Sequence, residues 1–356
     1  MFSAEERQAI LAFGPWPPPP TTDSANRWQG QPAAVALGRA LFFDRSLSAS
    51  GGLACASCHR PASAFSEPLA ASRNARNTPS LLDVGQQRWF GWDGAHDSLW
   101  AASLAPLTAS HELAATPAQA TARLSAGDAL DRAYRRVFGP PVADTTLLVN
   151  LAKALAAYQA TLVSPRTPFD DFRDALARGD LRQAAAYPLA AQRGLRLFIG
   201  EARCSTCHAG PRFSNGEFAD IGRPFFKAGG GVDPGRWGGL SALLANPNNR
   251  LGAHNDTRGG PAADPRAVLT RQVLQAPRHY GEFRVPGLRQ LVHTAPYMHD
   301  GGLPTLAAVV QHYDQLNEER LHADGERLLR PLKLSAAERQ DLLAFLDSLS
   351  TPQTVR

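Results

Sequence analysis

Methionine is almost absent from this chain, which also has no long apolar run and no cluster of positive charge. The 356 residues include two methionines and four cysteines. No apolar run approaches the roughly 18 residues that a membrane-spanning helix requires, so we expect no membrane span. The formal net charge is +5. Lys and Arg nevertheless form no run of the kind that binds nucleic acid, so we expect no nucleic-acid partner.

All four cysteines belong to two short runs with the pattern C-x-x-C-H, at residues 55–59 and 204–208. This pattern is the signature of covalent haem attachment, because two thiols at this spacing can each add to one vinyl group of a c-type haem. The histidine that follows supplies an axial nitrogen to the iron. We therefore predict two covalent c-type haems, attached through Cys55, Cys58, Cys204 and Cys207, with His59 and His208 as iron ligands.

C-x-x-C pairs also occur in redox disulfides and in four-cysteine zinc sites. In the zinc pattern the two pairs are separated by roughly 15–20 residues, far fewer than separate these two runs. Neither alternative explains why a histidine follows directly both times.

The attachment of haem also bears on where the protein is expected to reside. Covalent haem attachment takes place outside the cytoplasm, but residues 1–7 have neither the basic nor the apolar segment of a signal peptide. We therefore expect a periplasmic protein whose leader is not part of this sequence. The four propionates of two haems would offset much of the positive charge.

The spacing of apolar residues predicts a mainly α protein with few strands. Capping boxes predict helix starts after Ser3 and Ser335. The proline-rich run 15–20 is expected to be an extended spacer without packing of its own, and the Gly-, Pro- and Asn-rich segment 228–265 a long loop. Further helices are predicted over 32–43, 98–107, 117–126, 129–138, 144–162 and 305–316.

The length predicts two domains, and Ser164-Pro165 marks the expected boundary. We divide the chain into 1–164, with 1–20 as an arm and linker, and 165–356. The second half repeats features of the first, which predicts an internal duplication of a haem module. A helical segment precedes each haem run and a Phe-Ser pair follows it, at 37–42 and 65–66 in the first half and at 193–198 and 213–214 in the second.

Several runs together resemble the bacterial di-haem cytochrome c peroxidase family, which includes the MauG branch. They are residues 37–44, 76–81, 92–94, 283–289 and 294–302. The resemblance covers nearly the whole chain in the same order. It implies two cytochrome c-like domains whose haems face each other across the domain interface, and a calcium ion between the domains.

Within the family, the chain is most similar to the MauG branch and its MbnH-type members, on the prolines that follow Trp16 and on residues 88–94. That resemblance implies an enzyme that uses hydrogen peroxide (H2O2) to reach a bis-ferryl state and oxidises a tryptophan of a partner protein. In MbnH-type enzymes the product is kynurenine and the partner binds copper. The partner expected here is therefore a protein with an oxidisable tryptophan, for example a small copper-binding protein.

The resemblance also implies what lies on the far side of each iron. Peroxidases block the first haem with a histidine from the following loop, but no histidine lies between His59 and His96. We therefore expect this haem to be open, unless a histidine distant in sequence ligates it. The second haem takes Met in peroxidases and Tyr in MauG, and the matching residue here is Tyr313. Met298 lies elsewhere, so a Met ligand at that position is excluded. A phenolate stabilises Fe(III) and higher states, whereas a thioether favours Fe(II).

Three further roles follow from the same resemblance. Glu112 would be the distal acid–base that moves a proton during O–O cleavage, with Pro106 shaping the pocket. Trp92 would relay oxidising equivalents between the haems. Without the resemblance, Glu112 would be a solvated surface charge, and Trp92 and Tyr313 ordinary buried aromatics. Two positions depart from the family: Ala102 replaces a frequent Gln, and Ala202 replaces the Trp that leads to the surface in MauG.

Asn77 and the main-chain carbonyls of Thr294 and Pro296 match the calcium ligands of the family. Hard oxygen donors suit that ion, although an Asn in this context could also cap its own turn. His299 belongs to the same run as Pro296, and we expect it near the interface, holding a haem propionate or a water.

The sequence leaves three functions open. A peroxide-driven enzyme that oxidises a partner protein is favoured. The first alternative is a peroxide-scavenging di-haem cytochrome c peroxidase, which needs a haem that a small cytochrome can reduce. The second alternative is a di-haem electron carrier, which would have two six-coordinate haems and no reaction with peroxide.

Overall fold

The computed structural model describes residues 2–68, 76–223, 231–321, 324–325 and 328–352. The prediction of a mainly α protein is confirmed. In this part of the chain β1 (Phe218–Ala219) and β2 (Phe283–Arg284) pair antiparallel. No described helix is both long enough and apolar enough to cross a membrane. The helices are α1 (Ala4–Leu11), α2 (Pro32–Phe43), α3 (Cys55–Cys58), α4 (Leu99–Thr108), α5 (Pro117–Arg123), α6 (Ala129–Phe138), α7 (Thr145–Gln159), α8 (Pro168–Arg178), α9 (Leu181–Ala185), α10 (Leu189–Ile199), α11 (Arg236–Ala245), α12 (Ala267–Gln272), α13 (Leu306–Asp314) and α14 (Ala336–Asp347).

The capping signals identified the helix starts correctly. Ser3 and Ser335 each accept a hydrogen bond from the third helical residue, and the Glu at that position bonds back to the cap, so both capping boxes form. Asp144 is the N-cap of α7, whose side chain accepts from Thr146 N. The bounds predicted for α2 and α6 coincide with those observed.

The long loop predicted over 228–265 is wrong in its middle part, because α11 forms there. Its Leu240 and Leu243 are fully buried against Trp89 from the first half. The glycines of this segment lower its helix propensity, but the free energy gained by burying the two leucines outweighs that cost. Helix propensity alone is only a weak predictor of local structure.

The prediction of an extended spacer without packing at residues 15–20 is also wrong. Trp16 is 3% exposed, and its indole Nε1 donates to the carbonyl oxygen of Ser164 at 2.9 Å. The guanidinium carbon of Arg289 lies 3.7 Å from the centroid of the indole ring. A buried aromatic anchor therefore fixes this run to the rest of the protein.

Two apolar clusters form the core. The first packs α2, α4 and α7, and the second packs α8, α10 and α14. The N-terminal segment joins the second cluster, because the ring of Phe13 stacks on that of Phe213 at 4.8 Å between centroids. Residues of the expected arm thus pack with the second half of the chain. The division at Ser164-Pro165 stays a prediction.

In both clusters, the helix that precedes the haem run crosses a later helix at a glycine. A Cβ placed on Gly38 of α2 would lie 1.9 Å from the carbonyl oxygen of Ala154 on α7. A Cβ on Gly194 of α10 would lie equally close to the carbonyl oxygen of Asp341 on α14. A side chain at either position would clash with the facing backbone. The two glycines therefore allow the helix that precedes each haem run to pack closely on its core.

Candidate functional site

Both C-x-x-C-H histidines are oriented by the same local hydrogen bond. The Nδ1 of His59 lies 3.0 Å from the carbonyl oxygen of Phe65, and that of His208 lies 2.9 Å from the carbonyl oxygen of Phe213. A carbonyl can only accept, so Nδ1 carries the proton and Nε2 keeps its lone pair. Burial lowers the pKa of both imidazoles, which favours the neutral form that binds a metal.

Both phenylalanines whose carbonyls accept these bonds have a left-handed backbone, with φ of 57° at Phe65 and 55° at Phe213. This conformation is uncommon for a residue with a large side chain. It turns the carbonyl back toward the histidine after a short loop, and it occurs at the same place in both runs.

No disulfide joins the four cysteines, and the described residues contain no group of three or more His, Cys, Asp or Glu side chains placed to hold a metal ion. Each cysteine pair is followed by its own anchored histidine, which the disulfide and zinc alternatives do not require. Burial raises the pKa of Cys55 and of Cys204 to about 12. Neutral, partly enclosed thiols beside an oriented imidazole fit a covalent haem site at each run.

A cavity of about 1450 Å³ opens beside the second run and is lined by Cys204, Cys207, His208 and Tyr313. Burial raises the pKa of the Tyr313 phenol, and the neighbouring Cys204 and Cys207 raise it further. Tyr313 projects from α13, whose Val309 and Val310 line the same cavity. The structure thus brings together the predicted ligands of the second iron, and this cavity exceeds the usual volume of a small-molecule site.

The same cavity reaches residues of the first half, among them Asn77 and Trp92. The indole Nε1 of Trp92 donates to the Asn77 carbonyl oxygen at 2.7 Å, and the Trp92 carbonyl accepts from Arg284 N at 2.7 Å. Trp92 therefore lies where the two halves meet. His299 lies here too, with its ring stacked on Phe283 at 3.5 Å and its pKa lowered to about 4 by burial.

The amide of Asn77 shows how a cation could fit between the halves. Its Nδ2 donates to the carbonyl oxygen of Pro296 at 2.7 Å, while its buried Oδ1 has no hydrogen-bond partner among the described residues. The two amide orientations are nearly equivalent in shape. Turning the amide would direct Oδ1 and the Pro296 carbonyl toward one point. Thr294 lines the same cavity. These oxygens suit calcium, which takes carbonyl and amide ligands.

Glu112 and Pro106 come together near the first run. Leu113 N donates to the Pro106 carbonyl oxygen at 3.1 Å, which folds the turn after α4 back onto the helix. The Leu113 carbonyl oxygen accepts from Ala49 N at 2.8 Å, which holds this turn against the segment that leads into the first run. The negative charge of Glu112 contributes to the raised pKa of Cys55. The side chain of Glu112 is 31% exposed, and Oε1 lies 3.6 Å from Nε2 of His111. Neither Glu112 nor Pro106 lines the large cavity.

The sequence interpretation assigned no role to Arg284 and Arg212, which line the large cavity. Arg284 is buried, and its Nη1 has no partner in the described chain. Burial and, to a smaller extent, the charge of Arg212 lower its pKa to about 10. A buried cation without an anion is costly, so an acidic group of a ligand is expected here. The sequence signal for Arg284 was its position in the run 283–289, one of the runs that carry the family resemblance.

The two runs, with imidazoles anchored through Nδ1 and a cavity that joins the halves, define a di-haem protein of the c type. Comparison with known proteins agrees, because residues 32–178 match the family described as di-haem cytochrome c peroxidase. The methylamine utilization protein MauG of Methylorubrum extorquens is 35% identical over 326 residues, which cover 89% of this chain and 78% of the relative. A cytochrome-c peroxidase of Pseudomonas sp. (strain SCT) is 32% identical over 363 residues, covering 98% and 88%.

A solved structure described as a MauG-like protein associated with microbial copper homeostasis has 26% sequence identity and a TM-score of 0.70, covering 96% of this chain and 97% of its own. The chain belongs to the di-haem cytochrome c peroxidase and MauG family. It is therefore a peroxidase-type oxidoreductase with two c-type haems, and the predicted family is confirmed.

Proposed function

We propose that this protein uses H2O2 to oxidise a tryptophan of a partner protein, as MauG-type enzymes do. The carrying observation is that Tyr313 of α13 lines a cavity with His208 and both cysteines of the second run, whereas Met298, which lines the same cavity, lies outside the helix that carries the family's ligand position. When bound, the two haems supply peroxide activation and storage of two oxidising equivalents. An anionic oxygen ligand favours the oxidised states that such storage needs.

The residues of this chain would hold the haems at both ends. The thiols of each run would form the covalent links, and His59 and His208 would bind iron through Nε2, because Nδ1 is engaged by a carbonyl. On the second haem, the buried guanidinium of Arg284 and its neighbour Arg212 are suited to the propionates. His299, whose buried Nδ1 has no partner among the described residues, would hold a propionate or a water.

Proton transfer is assigned to Glu112. A carboxylate close to the first haem run can accept a proton from one peroxide oxygen and return it to the other. The exposed fraction of 31% lets it exchange protons with solvent. Pro106, whose carbonyl is engaged by Leu113, keeps the turn that carries Glu112 in place. Ala102 supplies no polar group, so water would complete the hydrogen bonding.

Trp92 is assigned as the relay between the haems. Its indole nitrogen donates to the Asn77 carbonyl of the same half, and its own carbonyl accepts from Arg284 N of the other half, so Trp92 is fixed at the contact between them. We further infer that the two haem modules arose by duplication and that their haems face each other across this contact. The matching glycine crossings and the matching histidine bonds of the two runs support that inference.

Calcium would bind through Asn77 and the carbonyls of Thr294 and Pro296, and would fix the contact that carries Trp92. We place the protein in the periplasm, because c-type haem attachment takes place outside the cytoplasm. The copper-related structural relative favours a small copper-binding protein as the partner, with kynurenine as the product.

The second candidate is a peroxide-scavenging cytochrome c peroxidase, which the peroxidase relative in Pseudomonas favours. The deciding experiment adds an excess of H2O2 to the diferric protein together with a small copper-binding protein that carries a tryptophan, because conversion of tryptophan to kynurenine consumes more than one H2O2. We expect mass spectrometry to show an oxidised tryptophan in that partner and only slow oxidation of reduced cytochrome c. Rapid turnover with reduced cytochrome c and an unchanged partner would favour the scavenger.

A further inference from the structure

Glu67 is a buried carboxylate in the first haem module, and the proposed mechanism does not use it. Its residue is 7% exposed. It follows Phe65 and Ser66, and the carbonyl of Phe65 accepts the Nδ1–H of His59 at 3.0 Å. We propose that Glu67 makes the two haems unequal, by placing a negative charge on the histidine side of the N-terminal iron only.

A second contact ties this carboxylate to the surroundings of His59. Thr78 Oγ1 donates to Glu67 Oε2 at 3.1 Å, and the next residue, Pro79, presents its carbonyl to the His59 ring. The two chain segments that contact the His59 ring, through the carbonyls of Phe65 and Pro79, therefore also hold Glu67 in place. Burial is the largest influence on the pKa of His59 and lowers it, while the charge of Glu67 acts in the opposite direction.

The second module lacks this charge. After Phe213 and Ser214 the corresponding residue is Asn215, which is neutral and exposed. In the described chain, the groups that shift the pKa of His208 are its burial and the carbonyls of Phe213 and Pro286. Each of these two histidines thus donates to a phenylalanine carbonyl, but of the two only His59 is influenced by a carboxylate among the described residues.

A carboxylate near a metal-bound imidazole makes that ligand more basic and stabilises the oxidised metal, and groups of this kind tune haem potentials. The effect is strongest where solvent does not screen it. Glu67 therefore lowers the reduction potential of the N-terminal haem from the histidine side, a contribution that the described surroundings of His208 do not make to the C-terminal haem. Glu67 is a positioning residue that acts through His59. The inference rests on the two haems and on no particular partner protein.

The experiment measures the midpoint potential of each haem in the intact holoprotein, by spectroelectrochemistry with EPR to separate the two irons. Glu67→Gln removes the charge but can still accept from Thr78. We expect the equilibrium constant for reducing the N-terminal haem to rise about tenfold, which is about 59 mV for one electron, with the C-terminal haem unchanged. Glu201→Gln, which removes an exposed carboxylate, is expected to leave the N-terminal haem unchanged.

Thr78→Val gives a test of opposite sign, because it removes the donor that partly offsets the Glu67 charge. The N-terminal potential is expected to fall. An unchanged potential in Glu67→Gln, an equal shift of both haems, or a rise in Thr78→Val would each overturn the proposal. If Glu67→Gln fails to take up haem, the sign in Thr78→Val decides alone. These readings need no partner, so they remain informative if tryptophan oxidation fails.

Discussion

Gly194 on α10 lies so close to Asp341 on α14 that a Cβ on the glycine would be 1.9 Å from the aspartate carbonyl oxygen. The first prediction concerns this crossing. Gly194→Ala must push the helices apart, and we expect it to lower the free energy of unfolding by about 3 kcal/mol, the upper part of the usual range for overpacking. Denaturant unfolding of the holoprotein measures this.

Gly52→Ala is the matched control for that substitution. The nearest contact of a Cβ on Gly52 would be 3.4 Å, to Ser50 Oγ. The control is expected to unfold like the parent. Equal stability of Gly194→Ala and the parent would show that the helices can separate without cost.

The second prediction concerns the oxygen ligand. Tyr313→Met replaces a hard donor by a soft one, so the potential of the C-terminal haem is expected to rise. The variant should accept electrons from reduced cytochrome c and lose tryptophan oxidation. Tyr187→Phe, a buried tyrosine that bonds Ser348 outside the cavity, serves as the control. Identical spectra and potentials in Tyr313→Met and the parent would remove Tyr313 from the iron.

The third prediction concerns proton transfer. Glu112→Gln keeps the size of the side chain but cannot shuttle a proton, so the reaction with H2O2 should slow by about 10²–10⁴-fold. Stopped-flow absorbance follows it. His111→Gln changes the neighbouring side chain, which is 63% exposed, and is expected to react at the parental rate. A parental rate in Glu112→Gln would assign the proton transfer to another group.

The fourth prediction concerns calcium. A ligand at a hundred times its dissociation constant stabilises a protein by about 2.7 kcal/mol. Chelation by EGTA should therefore lower the thermal midpoint, and Ca²⁺ should restore it while Mg²⁺, which demands a stricter geometry, should not. Asn77→Ala should have the lower midpoint from the start and no response to Ca²⁺. A response equal to that of the parent would place the ion elsewhere.

The fifth prediction concerns acid stability. Burial lowers the pKa of His96, whose Nδ1 has no partner in the described structure. Below its usual pKa the unfolded chain then holds the proton more readily than the folded chain does, so stability falls as the pH falls from about 6.5. His96→Gln should lose less stability than the parent between pH 7 and pH 5. His111→Gln should behave like the parent, and an unchanged profile in His96→Gln would contradict the assignment.

Local signals in the sequence predicted much of this architecture. A Ser or Asp cap and the helical spacing of apolar residues act within one or two turns, so α1, α2, α6, α7 and α14 could be located. The haem runs were visible because attachment needs a fixed spacing. α11 was missed, because its stability depends on burial of Leu240 and Leu243 against Trp89, a residue distant in sequence.

The residues of the candidate site also differ in whether the sequence alone reveals them. The Cys and His residues carry their own signal, whereas Tyr313, Glu112 and Trp92 were found only through resemblance to a family. Neither source reveals the buried Glu67 or the buried Arg284, whose Nη1 has no partner among the described residues, because charge and burial depend on what the fold places around a side chain.

The packing of Phe13 against Phe213 has a consequence for dissecting this protein. Phe2, Ile10 and Phe13 belong to the same apolar cluster as Phe345, so the beginning of the chain completes the core of its last third. A fragment that starts at Pro165 would expose the aromatic rings that Phe13 covers. The C-terminal haem unit is therefore expected to require the first segment, supplied in the same chain or as an added peptide, to stay soluble.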